Sequence, residues 1–209
     1  MDGVVLRTIV LIVGAYLVGS VPSGVLVARL SGGRDPRTVG SGRTGGTNAF
    51  RAMGAGRGLL TGILDGFKGL LPVLFARLVG ADDFAQALVG VAAVVGAWRS
   101  VFLGFHGGRG VATGIGAMVA IQPLVVVLCA PVFLGVIALS RYVSLGSLVG
   151  SASAAGTMLL LAYIGATAPA SLVYGVGAAI IVWLAHADNI DRLLHGRERK
   201  FSFGDRESR

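Results

Sequence analysis

Long apolar segments alternate with short polar segments along most of the chain. A membrane-spanning helix needs about 20 mainly apolar residues. The run over 111–140 is too long for one span, and its prolines predict a division near Gln122, because proline disfavours helix interiors. The pattern therefore predicts an all-α, polytopic integral membrane bundle of about seven hydrophobic helices, five to seven of them true spans. The apolar runs cover 4–30 (interrupted by Pro22), 58–79, 84–103, 111–140, 143–164 and 170–185.

The composition agrees with a protein that lies mostly in the bilayer. Of the 209 residues, 54% are hydrophobic and 13% are charged, whereas soluble domains carry about 25% charged residues. The mean hydropathy of +0.80 excludes an ordinary soluble enzyme and a disordered chain. The 34 glycines predict helices that pack closely through small side chains. The net charge of +8 falls between apolar runs, so nucleic acid is not an expected partner.

Basic residues gather in the segments that alternating spans place on one side of the membrane. These segments are a Gly/Arg-rich loop at 31–57, a Gly-rich loop at 104–110 and a basic tail at 187–209. Positive residues concentrate in cytoplasmic segments. We therefore expect a single domain over 1–209, with the N-terminus outside and the C-terminus in the cytoplasm.

The first of these loops contains glycines, hydroxyl groups and arginines that could surround an oxyanion with N–H donors. It nearly matches two nucleotide-binding motifs. The G-x-G-x-x-G pattern lacks a surrounding βαβ unit, and Gly46 stands where a Walker A loop needs lysine. A phosphate cradle and a simple turn between helices both remain open. The residues concerned are Gly40, Ser41, Gly42, Gly45, Gly46, Thr47, Asn48 and, shortly after, Arg51.

The second loop has the same character, with Gly107, Gly108, Arg109 and Gly110 following His106. By itself it could be a tight helix connection that carries a cytoplasmic arginine. Two such loops on one face favour a shared oxyanion site.

Asp65 and Lys68 are i,i+3 neighbours inside a predicted span. Ionisable groups at membrane depth usually face a bundle interior or a polar cavity. The pair is either a structural lock between helices or a site in which Lys68 approaches a phosphate and Asp65 positions it.

Further polar side chains occur where predicted helices begin or end at the same face. Ser144 and Ser147 open a helix, where they are either caps or part of an anion site. His186 and Asn189 follow the last span and are either interfacial or directed at the site. No histidine or cysteine cluster has zinc spacing, and no G-x-S-x-G elbow occurs. We therefore expect no metal, no cofactor and no Ser-His-Asp apparatus.

Five motifs in this order resemble those of PlsY-type acyl-phosphate:glycerol-3-phosphate acyltransferases, a bacterial membrane family. The resemblance runs from about Gly19 to Lys200. The chain departs from the family pattern at Arg43, Gly46, Trp98, Arg99, His106 and Arg109. The matching segments are Gly19–Pro22 with Asp35–Arg51, Asp65–Gly69, Phe105–Thr113, Arg141–Ser147 and His186–Lys200.

The resemblance implies transfer of an acyl group from acyl phosphate to the 1-hydroxyl of sn-glycerol 3-phosphate, giving lysophosphatidic acid and phosphate. It implies a multi-pass protein of the bacterial inner membrane whose partners are these two substrates and the lipid bilayer. Oligomeric state stays open, and a monomer is compatible. A transporter or flippase-like protein for a phosphorylated lipid is the alternative, since basic loops and a buried ion pair suit either.

The resemblance also implies roles for individual residues. The catalytic set is Ser41, Arg51, His186 and Asn189. The structural or positioning set is Glu198, from the resemblance, and Asp65, from the residue pattern above. The substrate-binding set, from both the motifs and the residue patterns above, is Gly40, Gly42, Gly45, Gly46, Thr47, Asn48, Lys68, Gly107, Gly108, Arg109, Gly110, Ser144 and Ser147.

Overall fold

The computed structural model describes residues 2–201, and this part of the chain is helical without strands. Three 3₁₀ turns, at Pro36–Thr38, Val101–Leu103 and Pro169–Ser171, lie between helices. The helices are α1 (Asp2–Ser20), α2 (Ser23–Leu30), α3 (Gly46–Met53), α4 (Ala55–Leu78), α5 (Asp83–Trp98), α6 (Val111–Ile121), α7 (Pro123–Ser140), α8 (Val143–Tyr163), α9 (Leu172–Ala185) and α10 (Ala187–Leu194).

Five helical segments are long and apolar enough to cross a membrane, and α9 with α10 forms a sixth candidate that bends by 61°. The remaining apolar helix, α6, has only 11 residues. The prediction of an all-helical membrane bundle is confirmed, and the five or six candidate spans in the described residues lie within the predicted range of five to seven. The predicted division of 111–140 also matches, because α6 ends at Ile121 and α7 begins at Pro123.

Two predicted boundaries are wrong. The apolar run 4–30 is not one helix, because α1 ends at Ser20 and α2 begins only at Ser23. Pro22 has no N–H and restricts the residue before it, so the chain breaks there. The segment 31–57 is not all loop, since it contains α3 and the start of α4. The predicted tail 187–209 begins as α10, and its last eight residues lie outside the described part.

Glycines bring the helix backbones of the bundle into contact, as the glycine content predicts. A methyl group at Gly69 of α4 would collide with the Thr113 carbonyl oxygen of α6, and one at Gly116 would collide with Gly66. The Thr113 hydroxyl donates a 2.9 Å hydrogen bond to the Asp65 carbonyl oxygen. The α4–α6 contact therefore fixes the helix that carries Lys68 against the helix that follows the second Gly-rich loop.

We expect Gly69→Ala to destabilise the protein by about 1–3 kcal/mol, since an added methyl group overpacks a backbone contact. The melting temperature in detergent should fall by several degrees. Gly56→Ala is the matched control, because Gly56 lies in the same helix with open space around it. Equal melting temperatures for the two variants would contradict the close α4–α6 contact.

Candidate active site

Polar residues from six separate segments line one cavity of about 540 Å³. Helices α3, α4, α6 and α8 contribute residues near their starts, and the chain beyond α9 closes the remaining side. Lys68 extends the cavity deeper, since it lies near the middle of α4. Of the residues singled out from the sequence, the cavity contains Ser41, Gly45, Gly46, Thr47, Asn48, Arg51, Asp65, Lys68, Gly108, Arg109, Gly110, Ser144, Ser147, His186, Asn189 and Glu198.

The side chain of Asn48 holds the first Gly-rich loop in shape. Its Nδ2 donates to the carbonyl oxygens of Pro36 (2.6 Å), Val39 (3.0 Å) and Arg43 (2.8 Å). Its Oδ1 accepts a 3.2 Å hydrogen bond from the Ser41 amide. An amide group has two N–H donors, and three carbonyls already share them. Asn48 is therefore a clamp for the loop rather than a free donor.

Three of the predicted binding glycines do not line the cavity and instead shape the backbone. Gly40 and Gly42 have φ of +56° and +68°, a left-handed conformation that glycine adopts readily. The Gly107 amide donates to the Trp98 carbonyl oxygen at 3.0 Å. Gly108 does line the cavity, but its amide donates a 2.8 Å hydrogen bond to the Ala97 carbonyl oxygen. Neither amide of this pair is therefore available to a ligand.

The predicted Asp65–Lys68 pair forms within α4. Lys68 Nζ lies 2.7 Å from Asp65 Oδ1 and donates a 2.7 Å hydrogen bond to the Val21 carbonyl oxygen. Val21 lies at the break beside Pro22, and its carbonyl oxygen also accepts a 3.0 Å hydrogen bond from the Ser23 amide. Both side chains are mostly buried, and an ammonium group has three N–H donors. The pair locks α4 to the α1–α2 break and leaves one donor of Lys68 for a ligand.

Arg109 brings an incompletely partnered positive charge to the cavity. Its Nε is buried and, like the Ser41 hydroxyl, has no hydrogen-bond partner among the described residues. Burial lowers the pKa of Arg109 to about 10, with repulsion from Arg43 and Arg192 adding to the effect. The guanidinium stays charged at neutral pH. Buried donors without partners are rare in folded proteins, and here they point to an anionic ligand.

A carboxylate organises the opposite wall. Glu198 accepts hydrogen bonds from Ser144 Oγ (2.8 Å), Asn189 Nδ2 (2.6 Å) and Arg192 Nε (2.8 Å). Burial raises the pKa of Glu198, but the three donors outweigh it and keep the pKa below its usual value. The Ser147 hydroxyl donates to Val143 in its own helix. Glu198 therefore ties α8 to α10, and neither serine caps its helix.

His186 lies just beyond the end of α9 and is 2% exposed. Its Nδ1 is 2.8 Å from the Val182 carbonyl oxygen, so we assign the proton to Nδ1 and the free lone pair to Nε2. Burial lowers the pKa of His186 to about 4, and this outweighs the effect of the bond to Val182. The imidazole is therefore neutral at pH 7. The nearby Asn189 Oδ1 is buried without a partner among the described residues.

Several lining residues are not in the predicted set. Arg43, Arg192 and Arg199 add positive charge, and Phe201 packs on Phe50 with ring centroids 5.0 Å apart. Arg43 lies between the predicted site residues Gly42 and Gly45, so it could have been found from the sequence. The cavity position of Phe201 had no sequence signal.

Two departures from the family pattern, Trp98 and Arg99, lie outside the cavity. The Arg99 guanidinium carbon is 4.5 Å from the centroid of the Trp98 ring. His106 does not line the cavity either.

The fold and the cavity together define an integral membrane protein with a basic cavity that suits an anionic ligand. Among the described residues, no three histidine, cysteine, aspartate or glutamate side chains are grouped to hold a metal ion.

Comparison with known proteins specifies the class further. Residues 9–196 match the family model for glycerol-3-phosphate acyltransferase, and the chain belongs to this family. The curated glycerol-3-phosphate acyltransferase of Geobacter sulfurreducens is 41% identical, over 94% of this chain and 98% of its own. That of Aquifex aeolicus is 39% identical, over 94% and 100%. The prediction of a membrane acyltransferase is confirmed.

Solved structures agree with this membership. The glycerol 3-phosphate form of PlsY, an integral membrane glycerol 3-phosphate acyltransferase, superposes with a TM-score of 0.85 at 38% identity, over 94% of this chain and 96% of that one. Its lysophosphatidic acid form superposes with a TM-score of 0.82 at 35% identity, with the same coverage.

Proposed function

We propose that the protein transfers an acyl group from acyl phosphate to the 1-hydroxyl of sn-glycerol 3-phosphate. The hydroxyl oxygen attacks the acyl carbonyl carbon, the bond from that carbon to the phosphate oxygen breaks, and inorganic phosphate leaves. The products are lysophosphatidic acid and phosphate. An acyl phosphate is already activated, so the reaction needs neither a covalent enzyme intermediate nor a cofactor.

The observation that carries this proposal is a pair of buried donors on the basic wall of the cavity. Buried Arg109 Nε and the buried Ser41 hydroxyl have no partner in the described part of the chain, and both line the cavity with Lys68 and Arg51. Donors fixed before the substrate arrives stabilise negative charge that develops in the transition state. Holding two reactants together can lower a barrier by roughly 7–11 kcal/mol. The site suits a reaction between two anions.

The residues of the site divide into those that contact the substrates and those that hold the contacting residues in position. Ser41, Arg51, Lys68 and Arg109 supply donors to the phosphoryl groups. The N-terminal turn of α3 adds backbone donors. His186 and Asn189 support the reacting centre. The positioning residues are Gly40, Gly42, Asn48, Asp65, Gly107, Ser144 and Glu198.

The leaving phosphate accepts the proton of the attacking hydroxyl. His186 is the candidate protein base, yet burial lowers its pKa to about 4, well below the pH at which a general base is most effective. Phosphate leaves next to the hydroxyl and gains negative charge as the bond breaks. The proton therefore passes directly between the two substrates.

An apolar cavity of about 210 Å³ between α6, α7, α8 and α9 suits the acyl chain. It shares the wall residues Val111, Ile115 and Phe133 with the polar cavity. The basic segments favour a polar cavity that opens to the cytoplasm, as expected for a bacterial inner-membrane enzyme. Family membership favours acyl transfer over transport, the alternative that the sequence left open.

The direct test is release of phosphate by purified protein given palmitoyl phosphate and glycerol 3-phosphate. We expect steady release that depends on both substrates. With palmitoyl-CoA as the donor, a thiol assay should detect no release of CoA. Arg51→Ala should lower the rate by about a hundredfold or more. Arg34→Gln is the control, since Arg34 is exposed and does not line the cavity. If wild type released no more phosphate than Arg51→Ala, the proposed reaction would be wrong.

Replacement of His186 tests the route of the proton. We expect His186→Gln to slow kcat less than about tenfold, because a neutral histidine of low pKa contributes little as a base. The measurement is kcat at saturating concentrations of both substrates. A drop of about four orders of magnitude with unchanged substrate binding would instead identify His186 as the base.

A further inference from the structure

Arg43 faces the site cavity, and no role assigned above uses it. It lies in the loop between Ser41 and Asn48 and lines the cavity that contains Arg109. Asn48 Nδ2 donates a 2.8 Å hydrogen bond to the Arg43 carbonyl oxygen. The backbone that carries the guanidinium is therefore clamped, while the side chain extends to the edge of the cavity.

The Arg43 guanidinium contacts a carboxylate that is largely in solvent. Its Nη2 donates to Asp188 Oδ2 of α10 at 3.1 Å. The Asp188 side chain is 57% exposed, whereas that of Arg43 is 24% exposed. Solvent screens such a pair, and exposed ion pairs contribute little to stability. The guanidinium can therefore exchange this partner for another anion at small cost.

Like charges inside the cavity favour such an exchange. Arg43 and Arg192 both repel the charge of Arg109, and all three groups line one cavity. Repulsion among like charges is relieved when an anion binds between them. The buried Arg109 Nε, which lacks a partner in the described residues, is an independent sign that an anion belongs there.

We propose that Arg43 is an additional substrate-binding residue, which exchanges Asp188 for a phosphoryl oxygen of a substrate when the cavity fills. Asp188 is a place-holder that competes with the substrate for the guanidinium. This role rests on the proposed function, because it takes the phosphoryl groups of the two substrates as the anions. The competing account is a latch in which the ion pair only joins the loop to α10.

The two accounts predict different effects of three variants: Arg43→Gln, Asp188→Asn and the reversed pair Arg43→Asp with Asp188→Arg. If Arg43 binds substrate, Arg43→Gln should raise KM about tenfold or more, because a hydrogen bond to a charged group is lost. Asp188→Asn then leaves KM unchanged or lowers it, because the competitor is gone. The reversed pair keeps the ion pair and still binds as weakly as Arg43→Gln.

Separate KM measurements for glycerol 3-phosphate and palmitoyl phosphate identify which phosphoryl group Arg43 contacts. Arg34→Gln removes an equal charge from outside the cavity and should keep wild-type KM values. Melting temperatures in detergent show whether each variant folds. If Arg43→Gln does not fold, the KM of Asp188→Asn decides between the two accounts. A latch between the loop and α10 predicts a higher KM for this variant, whereas a carboxylate that competes with the substrate predicts an unchanged or lower KM.

The proposal is overturned if Arg43→Gln keeps both wild-type KM values. It is also overturned if Asp188→Asn raises KM as much as Arg43→Gln does and the reversed pair returns KM to the wild-type value. That result would show that the ion pair acts only as a latch. Lack of phosphate release by the wild type would instead refute the proposed function. The two failures are therefore distinguishable.

Discussion

The constraint on which this molecule depends is the buried positive charge of Arg109, which lies beside a membrane and forms no ion pair with a carboxylate among the described residues. Burial works against the charge of Arg109, and its pKa falls to about 10 while the group stays ionised. Among the described residues, the carboxylates that line the cavity already form ion pairs, Asp65 with Lys68 and Glu198 with Arg192. In the proposed function, a phosphorylated substrate supplies negative charge to Arg109, so binding relieves a cost that folding imposes.

The fold maintains this arrangement through backbone contacts rather than through a large polar core. Glycines at the α4–α6 contact bring the two backbones together, which places Lys68 and the loop before α6 in one cavity. Within the first Gly-rich loop, Asn48 fixes the path of the backbone by donating hydrogen bonds to three carbonyl oxygens. Donors that are rigid before the substrate binds do not need to reorganise during the reaction.

Apolar length predicts the long helices well, because a span needs many consecutive apolar residues. The helices α2 and α3 have eight residues each, fewer than the roughly 11–18 residues over which a helical period is usually recognised, and sequence reasoning missed both. The motifs bring Asn48 and several of their glycines to one cavity, but the hydrogen bonds of Asn48 were not predictable, since they depend on the path of the folded loop. The ion pair of Arg43 with Asp188 joins residues 145 positions apart, which no local pattern reveals.

The most direct test of the account is a structure of the protein with glycerol 3-phosphate bound. The account requires the phosphate to lie inside the cavity, with an oxygen within hydrogen-bonding distance of Arg109 Nε or the Ser41 hydroxyl, the two buried donors that lack partners. A phosphate bound elsewhere, with both donors still unpartnered, would contradict the claim that unmet positive charge defines the site.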